Sequence, residues 1–132
     1  MAKEPDIVHA WLTRADERLE AAKLLLNEQL LDDAVSRAYY AMFSAAKAAL
    51  ISIGVETKSH TGLRNQFGRH FVQTGLLDAR LAKVLATAFE VRVNSDYSIS
   101  GWASQPEAET VIADAEQFVA EIKKFLSKLN DS

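Results

Sequence analysis

The chain has 132 residues, 48% of them apolar and 25% charged, which suits one globular domain with a real core and leaves little room for a second. It has no cysteine, so disulfides and thiolate metal sites are excluded, and a net charge of −3 argues against a general nucleic-acid coat. No run of about 18 apolar residues lacks charge (residues 34–53 come nearest, broken by Arg37 and Lys47), and the N-terminus shows no signal peptide, so a cytoplasmic protein without a membrane span is expected.

Five helices are expected, and no segment alternates long enough to suggest a strand. The first covers about residues 6–29. Trp11, Ala15, Leu19, Ala22 and Leu26 recur on one face, while Arg14, Glu17, Arg18 and Lys23 occupy the other. The second starts near Asp32, a good N-cap, and stops at Gly54, a good C′ residue. It is apolar almost all round, so it is the expected central helix. Val35, Tyr39, Met42, Ala46, Ala49 and Ile53 form one stripe. Ala41, Ser44 and Ala48 form another of small side chains, suited to close approach by a helix of this chain or of a second copy.

The third helix spans about residues 61–73, with Leu63, Phe67 and Phe71 as its seam and Gly75 after its end. The fourth takes Asp78 as N-cap and runs to about Asn94, with Leu81, Leu85 and Ala88 inward. A loop over 98–104 precedes the fifth. There Ser104 and Glu107 have capping-box spacing, and Pro106 lies in the first turn. Ala108, Val111, Ala115, Phe118, Ile122, Phe125 and Leu129 then repeat with a period near 3.6. The whole chain, residues 1–132, reads as one all-α, up-and-down bundle.

Charge is unevenly spread. Residues 57–96 carry Lys58, Arg64, Arg69, Arg80, Lys83 and Arg92 against Asp78, Glu90 and Asp96, a net of +3 between flanks of −3 each. A basic middle can face an anion or an acidic partner, or can be an ordinary fluctuation of a mixed surface.

Two arginines are out of place in a bland bundle. Arg37 sits in the most apolar helix, so it must be paired or reach a cleft. It either pairs with Asp33 at i,i+4 or binds an anion at a groove. Arg92 continues the inward face of helix four and can pair with Asp96, beside Tyr97. That group is either a buried structural pair or a polar cleft. His60, between Ser59 and Thr61 at a helix start, fits a cap or a phosphate site. Arg64 and His70 have Arg-x5-His spacing. His9, His60 and His70 are scattered and lack clustered carboxylates, so no metal site and no cofactor is expected. GxGxxG, P-loop, HExxH and GxSxG motifs are absent.

Residues 33–50 (DAVSRAYYAMFSAAKAAL) resemble the second helix of small stand-alone HEPN-domain proteins. Residues 18–26, the turn Lys58-Ser-His-Thr-Gly, Arg92-x3-Asp96-Tyr97 and residues 114–119 match in the same order. The resemblance implies a helical bundle, a homodimer, and RNA or nucleotide binding. It also implies pairing with a small nucleotidyltransferase in a toxin–antitoxin arrangement. Catalytic members carry Arg-x(4–6)-His, the arginine on phosphate and the histidine as acid or base. Here Arg92 matches the arginine, while Asp96 and Tyr97 stand where the histidine belongs.

The expected function is therefore a non-catalytic module that binds RNA, a nucleotide or a partner through Arg92, Arg37, His60, Lys58, Arg64 and Arg69. The alternative is a divergent metal-independent endoribonuclease using Arg92 with Asp96 and Tyr97. A third reading is a structural dimer that stabilises a partner.

Overall fold

The computed structural model describes residues 6–97 and 103–130. They form five helices in chain order and no strand among the described residues: α1 (Ile7–Asn27), α2 (Leu31–Ser52), α3 (His60–Phe67), α4 (Ala79–Tyr97) and α5 (Gln105–Asn130). The all-α bundle read from periodicity is the one that forms.

The local signals behind that reading are visible at the helix ends. The Asp6 carboxylate accepts from the His9 amide at 3.2 Å and caps α1. Gly54 and Gly75 take φ of +81° and +80°, the left-handed backbone that stops a helix at little cost to glycine. Before α5, Ser104 Oγ accepts from the Glu107 amide at 3.1 Å, and Glu107 Oε1 accepts from the Ser104 amide at 3.0 Å. This is the reciprocal capping box that the spacing predicts.

Other ends differ. Asp32 does not cap α2. The N-cap is Leu30, with no side-chain bond, and Asp32 Oδ1 instead accepts from the Ala103 amide at 2.8 Å. A long-range tie between the start of α2 and the approach to α5 has claimed the carboxylate. Helix α4 reaches Tyr97, past the expected Asn94, and Asp78 binds the Arg80 amide just ahead of it. Helix three begins with His60 after a Ser59 cap, and it is not α-helical throughout. After Phe67 comes a π-helical segment, Gly68–Val72. There the Gln73 amide donates to the Gly68 carbonyl at 2.9 Å, and the Phe71 ring reaches Phe125 at 5.4 Å. Most of the loop placed over 98–104 lies outside the described residues.

Helix α2 is the centre of the bundle. Twelve of its residues are buried, and α1, α4 and α5 all pack on it. Ala41, Ser44 and Ala48 are at most 1% exposed, so the small-residue stripe is spent inside the protomer. A second copy does not have it available. One core cluster draws on all five helices, including Leu63, Phe67 and Phe71 from the α3 segment and Leu81, Leu85 and Ala88 from α4. Phe118 stacks on Phe67 at 5.5 Å between centroids. On the outside, Lys123 of α5 reaches both carboxylate oxygens of Asp16 at 2.7 and 2.8 Å, and Lys23 of α1 pairs with Glu116. These exposed pairs set the α1–α5 register more than they stabilise it.

Candidate functional site

Three helices meet around one imidazole. Helix α2 presents Tyr39, Tyr40 and Phe43, with Phe43 one turn on from each tyrosine. Helix α3 presents His60 and Arg64, one turn apart. Helix α4 presents Phe89, Arg92 and Asp96 along a single stripe. The His60 ring lies 5.6, 5.8, 5.0 and 5.8 Å, centroid to centroid, from Tyr39, Tyr40, Phe43 and Phe89. The histidine is thus not a cap. Ser59 caps α3 by accepting from the Gly62 amide at 2.9 Å, which leaves the imidazole free to turn into the bundle.

Two of the four arginines of the basic middle come to the rings that surround His60. The Arg64 guanidinium carbon sits 4.2 Å from the centre of the Phe89 ring. That of Arg92 sits 5.1 Å from Tyr40 and 5.9 Å from Tyr39. Aromatic faces replace part of the hydration that the cations lose. They do not satisfy the N–H groups. Arg64 Nη1 and Arg92 Nε are both buried and have no hydrogen-bond partner among the described residues. Arg92 Nε lies 3.3 Å from Asp96 Oδ2, near enough for an ion pair but not aligned as a hydrogen bond. A buried donor without an acceptor costs about 1–3 kcal/mol.

The Tyr39 hydroxyl lies 2.8 Å from His60 Nδ1. Burial pushes the phenol up to about 12, against the opposing pull of Arg64 and Arg92 and with Tyr40 adding to the rise. The phenol therefore keeps its proton. Arginine can only donate, so neither guanidinium can receive that proton, and His60 Nδ1 is the acceptor at hand. His60 titrates below the usual histidine range, chiefly through burial and further through Arg92 and Arg64. The imidazole is neutral at neutral pH. With Nδ1 accepting, its proton sits on Nε2. The ring is then a donor near two arginines, among aromatic side chains.

The other expected site residues fall elsewhere. Arg37 is exposed and makes no ion pair with Asp33, correcting the i,i+4 pairing considered from the sequence. It reaches instead a concavity lined by Leu25, Asp33, Ser36 and Tyr40. Lys58 and Arg69 are exposed, on the turn before α3 and on the π-helical segment after it. His70 bonds to Gln66 Oε1 at 3.0 Å while Arg64 turns to Phe89, so the Arg64–His70 spacing does not make a site. The side chain of Tyr97 is outside the described residues. No three His, Asp or Glu side chains gather as a metal site among the described residues, and none of the helices described is long and apolar enough to cross a membrane. Tyr39, Tyr40, Phe43 and Phe89 are the members that sequence reasoning missed. The one available signal was a phenol, Tyr39, in the otherwise wholly apolar stripe of α2.

The model of the HEPN domain family matches residues 8–125. A protein of Methanocaldococcus jannaschii named "Putative toxin MJ0605" is 37% identical over 122 residues, covering 92% of this chain and 90% of that protein. A UPF0332 protein of Thermotoga maritima is 35% identical over 129 residues, covering 98% of each. Another, of Gloeobacter violaceus, is 36% identical over 118 residues, covering 89% of this chain and 94% of that protein. The chain belongs to the HEPN family.

Proposed function

We propose that this HEPN protein is an RNA-binding module that holds a backbone phosphate in the His60 cleft. The observation that carries the reading is the pair of buried guanidinium nitrogens, Arg64 Nη1 and Arg92 Nε, that have no hydrogen-bond partner among the described residues, on two arginines that both act on a neutral histidine. Such donors make their strongest hydrogen bonds to an anion. The rings of Tyr40, Phe43 and Phe89 are partly buried, and the edges left in solvent supply apolar surface for a base. Binding of a labelled oligouridylate, followed by fluorescence anisotropy, tests the reading. Arg92→Ala should weaken binding at least tenfold with helicity unchanged. Equal affinity in the variant would remove the cleft from consideration.

A second reading, a metal-independent endoribonuclease, is favoured by one proximity, the electrostatic influence of Arg92 on His60. His60 stands beside Arg92 in space, although no histidine follows Arg92 in sequence. For cleavage, His60 Nε2 must take the proton of a ribose 2′-hydroxyl, which needs the tautomer protonated on Nδ1. A Tyr39 hydroxyl that donates to Nδ1 disfavours that tautomer, which supports the binding reading. Incubating total cellular RNA with the purified protein in chelator, beside Arg92→Ala and His60→Ala, separates the two. Cleavage lost in both variants would make the protein an enzyme.

In the same reading the protein works as a homodimer beside a small nucleotidyltransferase, in a toxin–antitoxin arrangement. Two relatives carry the word toxin in their names. Sedimentation over a wide concentration range and co-purification with a nucleotidyltransferase encoded nearby test the two associations.

A further inference from the structure

We propose that the concavity beside Arg37 is a second subsite, so that the ligand is an RNA strand of at least two nucleotides that straddles Tyr40. This inference rests on the phosphate reading of the His60 cleft.

Tyr40 belongs to both places. On one side its ring meets Arg92 at 5.1 Å and His60 at 5.8 Å. It also lines a concavity of about 360 Å³ with Leu25, Asp33, Ser36 and Arg37. Arg37 is the cation of that concavity, exposed and without a hydrogen bond or ion pair among the described residues. An arginine on a buried central helix is normally drawn into a pair, and Asp33 stands one turn away to provide one. The pair is not made, which leaves a cation and a carboxylate separately available in one small basin.

The residue types fit one nucleotide. Arg37 takes a phosphate through its planar fork. Asp33 would repel a phosphate, so what sits beside it is a hydroxyl that donates, and a ribose 2′-hydroxyl does so. Ser36 can serve either, and Tyr40 offers ring surface for a base. Tyr40 touches both places, so a ligand that fills both carries two phosphates with a sugar between them, as successive nucleotides of a strand do.

The test compares uridine 3′-monophosphate with the dinucleotide UpUp by titration calorimetry, using the wild type, Arg37→Ala and Arg92→Ala. Arg37 is exposed, so its variant should fold, and circular dichroism checks this. In the wild type UpUp should bind at least tenfold more tightly than the mononucleotide. Arg37→Ala should remove that gain and leave the mononucleotide affinity within twofold, whereas Arg92→Ala should weaken both. The deoxyribose form of UpUp should bind at least threefold more weakly than UpUp. If Arg37→Ala leaves UpUp unchanged, or if the deoxy form binds equally, the second subsite is overturned while the His60 cleft stands. If neither uridine ligand binds the wild type, both readings fall.

Discussion

The Tyr39 hydroxyl and His60 Nδ1, 2.8 Å apart, decide which edge of the imidazole serves the cleft. Tyr39 comes from the most buried helix and His60 from the first turn of α3, so the bond also fixes how α3 enters the bundle. Tyr39→Phe keeps the ring and removes the donor. It should cost about 1 kcal/mol, the usual net worth of such a bond, with the now partnerless Nδ1 adding to the loss. Urea unfolding measures this. Nitrogen chemical shifts of His60 give the tautomer, and a wild-type ring protonated on Nδ1 would refute the assignment of Nε2 as the donor.

The arginines invite a comparison of stability with binding. Their charges are half-buried and incompletely bonded, and ions in that state add little to a fold. Arg92→Leu should therefore leave the unfolding free energy within about 1 kcal/mol of wild type, because the apolar side chain offsets the lost Asp96 pair. The same change should reduce affinity for oligouridylate at least tenfold. A large fall in stability, matched by no loss of binding, would make Arg92 a structural residue.

Stability should also carry a mark of His60. Unfolded histidine titrates near 6.5, and the folded value lies lower because burial and two arginines disfavour the cation. Between the folded value and 6.5 the unfolded chain binds more protons. Stability is therefore complete above 6.5 and declines as pH falls through that window. Denaturation midpoints at a series of pH values, for the wild type beside His60→Gln, should show a shallower acid decline in the variant. Parallel curves would mean that the imidazole titrates as freely in the fold as outside it.

How much of this was legible before the structure follows from the range of each interaction. Gly54, Gly75 and the Ser104–Glu107 box act within a few residues, and local chemistry announced them. The seam Leu63, Phe67 and Phe71 was legible because apolar spacing alone selects a face. The Asp32 cap misled because a tie to Ala103, 71 residues on, outbid the local role. The site itself was half legible. Arg92 was visible as a cation on an inward stripe, and His60 as a histidine at a helix start. Their meeting was not, since it depends on how α3 and α4 cross α2, and Tyr39 lies 21 residues before its partner. The imidazole near Arg92 comes from a different helix, so no spacing along α4 could announce it.

Packing predicts a sharp contrast between two residues of α5. Phe118 is fully buried against Phe67, and its removal leaves a void among side chains already packed in the core. Phe118→Ala should cost about 3–5 kcal/mol. Lys123→Ala gives up an ion pair with Asp16 that is about half in solvent, and should cost under about 1 kcal/mol. Thermal unfolding of the two variants orders them. If Lys123→Ala were the more damaging, α1 and α5 would be held by charge and not by the core.

The end of α1 offers a change in the other direction. Helix α1 has no glycine after it, and Gln29 takes the left-handed backbone with φ +63°. Its side chain recovers little, since Gln29 Nε2 reaches the Leu26 carbonyl only at 3.4 Å. A side chain in that region costs about 1–2 kcal/mol, while glycine adds roughly 0.5–1 kcal/mol of unfolded-state entropy. The first exceeds the second, so Gln29→Gly should stabilise the protein by about 0.5–1 kcal/mol. Gln29 lies away from the His60 ring and lines a different concavity, with Leu30, Leu31 and Asp32. Oligouridylate affinity should therefore not move. A rise in the denaturation midpoint at constant slope is the expected result. A fall would mean that the Leu26 contact or the Gln29 side chain holds the α1–α2 turn together, and that the left-handed backbone there is not the weak point.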